Sequence, residues 1–86
     1  MNVYFTPKFI RRSKSLTKKN KHLKGILEKQ ITLFKLNSTH PSLKLHRLKG
    51  KRSKQLAVWV KGDLRALCVK EKNDYVFFDL VSHNEY

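Results

Sequence analysis

Eighty-six residues make one domain and no more. They carry 20 Lys+Arg against 6 Asp+Glu, a formal charge of +14 at pH 7, with 40% hydrophobic residues, the balance of a folding chain rather than of a disordered basic tail. A chain this short buries only about 60–65% of its unfolded surface, which excludes a large internal ligand cavity and puts any site on a surface or in a shallow cleft.

The first element expected is a short strand over residues 2–5, ended by Thr6-Pro7. Threonine is a natural N-cap and proline a natural first helical residue, so a helix is predicted over 7–16 with Phe9, Ile10 and Leu16 as a sparse apolar face. Residues 17–36 follow with Leu23, Ile26, Leu27, Ile31 and Phe34 at helical spacing and lysines on the other faces, so the two helices form a hairpin around 18–20. Asn37 to Pro41 breaks the second helix, because the residue before proline avoids the α region. Leu43, Leu45 and Leu48 then alternate irregularly towards Gly50, and residues 51–54 read as an exposed turn. From there the period becomes two, with Leu56, Val58 and Val60 facing one way and Ala57, Trp59 and Lys61 the other. Gly62-Asp63 and Asn73-Asp74 mark turns between strands at 64–70 and 75–81, an antiparallel meander. The expected fold is α+β in the order β-α-α-β-β-β, a helical hairpin packed on one face of a small antiparallel sheet whose other face is left exposed or taken by a partner.

The charge is divided unevenly. Residues 1–54 hold sixteen Lys/Arg and one acid, Glu28, while residues 55–86 hold four Lys/Arg and five acids. A half with net charge +15 calls for a polyanion or an acidic partner to offset its self-repulsion, and nucleic acid qualifies because each phosphate contact releases condensed counterions. No run of about 18 apolar residues is present to span a membrane. Arg11 and Arg12 directly follow Phe9 and Ile10, so the start of the chain does not read as a secretion signal. The lone Cys68 cannot close an internal disulfide, which suits a reducing cytoplasm.

Several chemistries are set aside by pattern. His22, His40, His46 and His83 lack the spacing of a metal site, the three glycines form no phosphate loop, and Cys68 in mid-strand reads as a small buried hydrophobe. No metal or other cofactor is expected. What remains suits metal-free RNA cleavage, in which a 2′-hydroxyl attacks its own phosphate. That reaction needs a base, an acid and a cation for the charge developing on the phosphate oxygens. Histidine fills either proton-transfer role. Arg65 is the only arginine between residues 55 and 86 and shares a strand face with Leu67 and Val69, and its planar fork matches a phosphate. The competing expectation is a structural pair with Asp63 or Asp79.

From His40 to Tyr86 the chain resembles the RelE/ParE superfamily of bacterial toxins, in particular its RelE/StbE and YafQ-like mRNA interferases. The landmarks are His40-Pro41-Ser42-Leu43, Leu45-His46-Arg47-Leu48-Lys49-Gly50, Gly62-Asp63-Leu64-Arg65-Ala66 and Asp79-Leu80-Val81-Ser82-His83-Asn84-Glu85-Tyr86, while residues 1–36 match in β-α-α pattern alone. Asn84 stands where aspartate is common, and the lysine pair of other members has no counterpart in Leu56-Ala57-Val58. The resemblance implies a single toxin domain over residues 1–86 that cleaves mRNA in the ribosomal A site and is neutralised by an acidic antitoxin. It implies His83 and His46 as opposite proton carriers, Arg65 as the scissile-phosphate contact and Tyr86 as a terminal aromatic against a substrate base. Lys49, Lys51, Arg52 and Lys54 would form a basic loop for RNA phosphates. Two other readings stay open: a gyrase-inhibiting toxin of the ParE branch, and a non-enzymatic RNA- or ribosome-binding protein.

Overall fold

Capping chemistry starts both helices of the computed structural model, which describes residues 1–82. The Thr6 hydroxyl accepts from the Phe9 amide at 3.2 Å and Pro7 opens α1 (Pro7–Thr17). The Asn20 side chain accepts from the Leu23 amide at 3.0 Å and opens α2 (Lys21–Leu36), each cap satisfying a backbone donor that the helix itself cannot. The turn between the helices falls at 18–20, as expected. A 3₁₀ turn over Pro41–Leu43 follows, capped by the His40 ring, whose Nδ1 accepts from the Ser42 amide at 3.1 Å. His40 therefore has a local structural task.

The strands are β1 (Val3–Phe5), β2 (His46–Arg47), β3 (Gln55–Lys61), β4 (Leu64–Glu71) and β5 (Asp74–Ser82), in the spatial order β1-β5-β4-β3-β2. The expected meander of β3, β4 and β5 is present with both hairpin turns. Two features extend it. The two-residue β2 pairs antiparallel with β3, and β1 pairs parallel with β5, Val3 opposite Tyr75, so the sheet is mixed. Parallel pairing needs a long connection, and here every other element lies between β1 and β5 in the chain.

The helices cover one face. Phe9, Leu27, Phe34 and Leu43 pack there on Val58, Val60, Ala66, Cys68, Tyr75, Phe77 and Leu80. The Phe34 ring meets Tyr75 and Phe77 edge-on at 4.9 and 5.2 Å between centroids, a favoured aromatic geometry. On α1 only Phe9 of the expected apolar face is buried, and Ile10 and Leu16 are exposed, because the helix leans on β5 along a narrow stripe. The opposite face carries a smaller cluster of Ala57, Leu67 and Val81 with Leu48 and Phe78.

Beyond Phe5 the β5 edge has no strand partner, and α1 covers it instead. Thr6 donates its amide to the Phe77 carbonyl at 3.0 Å and its hydroxyl to that of Phe78 at 3.4 Å, and Arg12 Nε donates to the Leu80 carbonyl at 2.8 Å. The β4–β5 register shifts between Leu67 and Cys68, with Phe78 the extra residue on β5, next to Asp79. The Asp79 carboxylate meets Lys8 Nζ at 3.1 Å and Arg12 Nε at 3.7 Å.

Candidate active site

The register of the sheet decides which side chains share the open face, because residues directly opposite one another point to the same side. His46 lies opposite Ala57, Ala57 opposite Leu67, and Trp59 opposite Arg65, which in turn is opposite Val81. Ala57, Leu67 and Val81 form the apolar floor of that face, so His46, Trp59 and Arg65 stand above it. His46 and Arg65 are separated by two strand spacings and two residues of rise, about 12 Å between Cα atoms. Both side chains are long enough to reach one phosphodiester placed between them.

Arg65 does not make the carboxylate pair that was its alternative. Asp79 is engaged by Lys8 and Arg12, and Arg65 Nη1 donates to the carbonyls of Gly62 at 2.9 Å and Leu64 at 3.3 Å. Among the described residues no acid neutralises it, so its charge is held in position and its remaining N–H groups are available to an anion. The carbonyl that anchors it belongs to Gly62, whose φ of +57° is the left-handed conformation that the tight β3–β4 turn requires and that glycine adopts without strain. Trp59 Nε1 donates to the same oxygen at 2.8 Å.

His46 is exposed, and its Nδ1 lies 3.1 Å from the Lys44 carbonyl. With that nitrogen carrying the proton, Nε2 is the free acceptor on the open side, the arrangement a proton carrier uses. The basic residues of the loop after β2 are arranged unequally. Lys49, Lys51 and Lys54 are exposed, whereas Arg52 is half-buried with Nε donating to Gln55 Oε1 at 2.9 Å, and a 3₁₀ turn over Gly50–Arg52 shapes the loop. This loop closes the end of the sheet opposite Gly62, about 14 Å from the Trp59–Arg65 row by strand rise, with His46 between. His83 and Tyr86, the other two residues of the expected site, lie outside the described residues.

Two side chains of this face were not among the expected site residues. Trp59 is half-buried, and the Lys44 ammonium sits over its ring, 4.6 Å from the centroid. The signal was present in the two-residue period, which set Trp59 on the side away from the core. Lys44 carried no signal, since its position depends on a left-handed backbone, φ 47°, after the 3₁₀ turn.

A second recess lies on the other side of the molecule. Between α1 and α2 a groove of about 450 Å³ is lined by Phe5, Phe9, Ile10, Leu27 and Ile31 with Lys14 and Lys35. A cleft of about 700 Å³ bearing Lys14, Lys18, Lys21 and Lys24 shares Ser13, Lys14, Leu27 and Glu28 with it. Cys68 has no part in either surface. It is fully buried, and burial pushes its thiol up to about 12, so it is no nucleophile.

No protein-family model matches the sequence, and no curated protein matches it. Solved structures do. A copper-bound mutant toxin from Helicobacter pylori superposes with a TM-score of 0.76 at 21% identity, covering 99% of this chain and 97% of that one. YafQ in the E. coli DinJ–YafQ complex gives 0.77 at 18% identity over 96% and 93% of the two chains. A YoeB/ParE toxin from Agrobacterium tumefaciens gives 0.77 at 12% identity over 96% and 99%. A helical hairpin over one face of a five-stranded sheet is the fold that this chain shares with these toxins.

Proposed function

We propose that this chain is the toxin of a type II toxin–antitoxin pair and acts as a metal-independent endoribonuclease on mRNA in the ribosomal A site. The observation that carries the reading is Arg65, a guanidinium oriented by two carbonyls on an open sheet face, unpaired with any acid among the described residues and on the same face as His46. In the proposed reaction the 2′-oxygen attacks phosphorus, one histidine takes the hydroxyl proton, the P–O5′ bond breaks, and the other histidine protonates the departing 5′-oxygen. The products are a 2′,3′-cyclic phosphate and a 5′-hydroxyl. His46 and His83 are the proposed proton carriers, Arg65 stabilises the charge on the phosphate oxygens, and Tyr86 stacks on a substrate base. Lys49, Lys51, Arg52 and Lys54 hold neighbouring phosphates, an electrostatic contribution that is independent of sequence.

The proposed protein partner is an acidic antitoxin. YafQ, whose fold this chain shares, is found in complex with a second protein, DinJ. Here the apolar groove between the helices, flanked by Lys14 and Lys35 and continuous with the cleft that bears Lys18, Lys21 and Lys24, has the charge and surface to take an acidic amphipathic segment.

Primer extension on mRNA incubated with ribosomes and purified protein tests the reading. Wild-type protein is expected to cut at defined A-site positions. Arg65→Ala is expected to lower the rate by about 10²–10³-fold, the effect of losing one preorganised donor, and His46→Ala and His83→Ala to lower it as well. Full-rate cleavage by Arg65→Ala removes Arg65 from the chemistry. No cleavage by the wild type, with or without ribosomes, turns the reading to the gyrase-inhibiting branch.

A further inference from the structure

Beside Arg65 the open face carries two side chains that the proposed chemistry does not use, Trp59 and Lys44. Trp59 stands directly opposite Arg65, and Lys44 lays its ammonium on the indole face, so an aromatic ring is flanked by two cations. The indole is fixed at its nitrogen, and the backbone that carries it is fixed as well. Its N–H is committed to the Gly62 carbonyl at 2.8 Å, and the backbone carbonyl of Trp59 accepts from Gln30 Nε2 at 2.9 Å, with Gln30 itself 5% exposed. Yet the side chain is only half-buried, and Lys44 is exposed. An indole whose one polar group is already satisfied has only its π-face to offer a ligand. What covers that face is the ammonium of Lys44, an exposed side chain on a flexible stem that an incoming group can displace. A fixed ring also costs little conformational entropy on binding.

We propose that Trp59, with Lys44 and Arg65 beside it, is a base-stacking platform for single-stranded RNA. A nucleobase would stack on the indole, displacing the Lys44 ammonium, which moves the short distance to the adjoining phosphate while Arg65 takes the phosphate on the other side. Lysine and arginine on both flanks favour a polyanionic strand over an acidic peptide, because bases bring a flat π-surface with each phosphate. With the indole N–H spent on Gly62, the platform ranks bases by stacking strength and not by hydrogen-bond pattern, so it tolerates all four and favours purines. The inference rests on the RNA reading above but names a residue and a contact that reading does not need.

Trp59 is the single tryptophan of the chain, so its emission reports on this contact alone. The test titrates full-length protein with a 2′-O-methylated RNA hexamer, which binds but cannot be cut for want of a free 2′-hydroxyl. Binding is followed by anisotropy with a labelled hexamer, and tryptophan emission is followed in a parallel titration with the unlabelled one. The expected result is saturable quenching that tracks the binding curve. Trp59→Ala should weaken binding by about 5- to 150-fold, the range measured per stacked base, with Trp59→Phe recovering most of the loss. RNA binding with unchanged tryptophan emission, or equal affinity in Trp59→Ala, overturns the platform and leaves the nuclease reading intact. No binding by anisotropy overturns the platform as well, and the nuclease reading is then decided separately by primer extension with ribosomes. Should Trp59→Ala fail to fold, as judged by circular dichroism, the wild-type emission and the Trp59→Phe titration decide.

Discussion

A cation held by carbonyls and one held by a carboxylate are different chemical objects, and this molecule contains both. Arg65 keeps its charge for an incoming anion, whereas Arg12 spends part of its charge on Asp79 while donating to a strand carbonyl. Sequence alone left Arg65 undecided between these states, because the choice depends on which element reaches Asp79 first, and that element is α1. Cys68 was legible from its mid-strand position alone. Its thiol, raised by burial from 9.0 to about 12, is the neutral form over the whole physiological range. Folded protein at pH 8 is therefore expected to resist alkylation by iodoacetamide, while urea-unfolded protein is modified readily, as mass spectrometry would record. The sign for stability follows. A raised pKa stabilises the fold fully below pH 9, and that contribution is lost as the pH climbs towards 12.

Among the elements, those fixed by neighbours in sequence were legible and those fixed by distant pairing were not. Thr6-Pro7 and Asn20 announce their helices because capping is a contact between residues three apart. The parallel seat of β1 beside β5 and the engagement of Asp79 by Lys8 and Arg12 of α1 depend on partners more than 60 residues away, for which local pattern carries no signal. Asp79 is the joint between α1 and β5, and Asp79→Ala is expected to lower stability by about 1–2 kcal/mol, since it leaves Lys8 and Arg12 without their acid at a part-buried edge. A urea midpoint unchanged from wild type would show that joint to be idle. At the opposite end of the sheet, Gly62→Ala meets no steric obstacle, but it places a β-carbon on a residue with φ +57°. A loss of about 1 kcal/mol is expected from the strained backbone, measured in the same titration.

Across the whole molecule, charge sets the terms. Twenty basic residues surround a core formed largely by about a dozen apolar side chains, and the repulsion among them opposes compaction. Screening should therefore stabilise the isolated protein. Raising the salt from about 0.05 M to 0.5 M shortens the range of repulsion severalfold, and each ~1 kcal/mol regained raises Tm by about 4–8 °C in a domain of this size. A melting temperature that falls with salt would mean that ion pairs such as Lys8–Asp79 outweigh the repulsion. The uneven division of charge was plain in the sequence, but its spatial outcome was not. The helices carry their lysines around a cleft, while the nearly neutral half, residues 55–86, presents Arg65 on the face to which β2 brings His46, because strand register put them there.

The place of β5 has a consequence for how the protein comes into being. This strand follows every other described element in the chain, yet it lies inside the sheet, with β1 on one side and β4 on the other. A growing polypeptide therefore cannot seat its first strand, complete its aromatic core or close the edge guarded by Arg12 until residues 74–82 have been translated and have emerged. Translation at about 5–20 residues per second leaves several seconds in which the nascent chain offers basic helices and unpaired strands but no assembled sheet. Whatever the finished face does to RNA, the ribosome making it is spared until β5 has emerged.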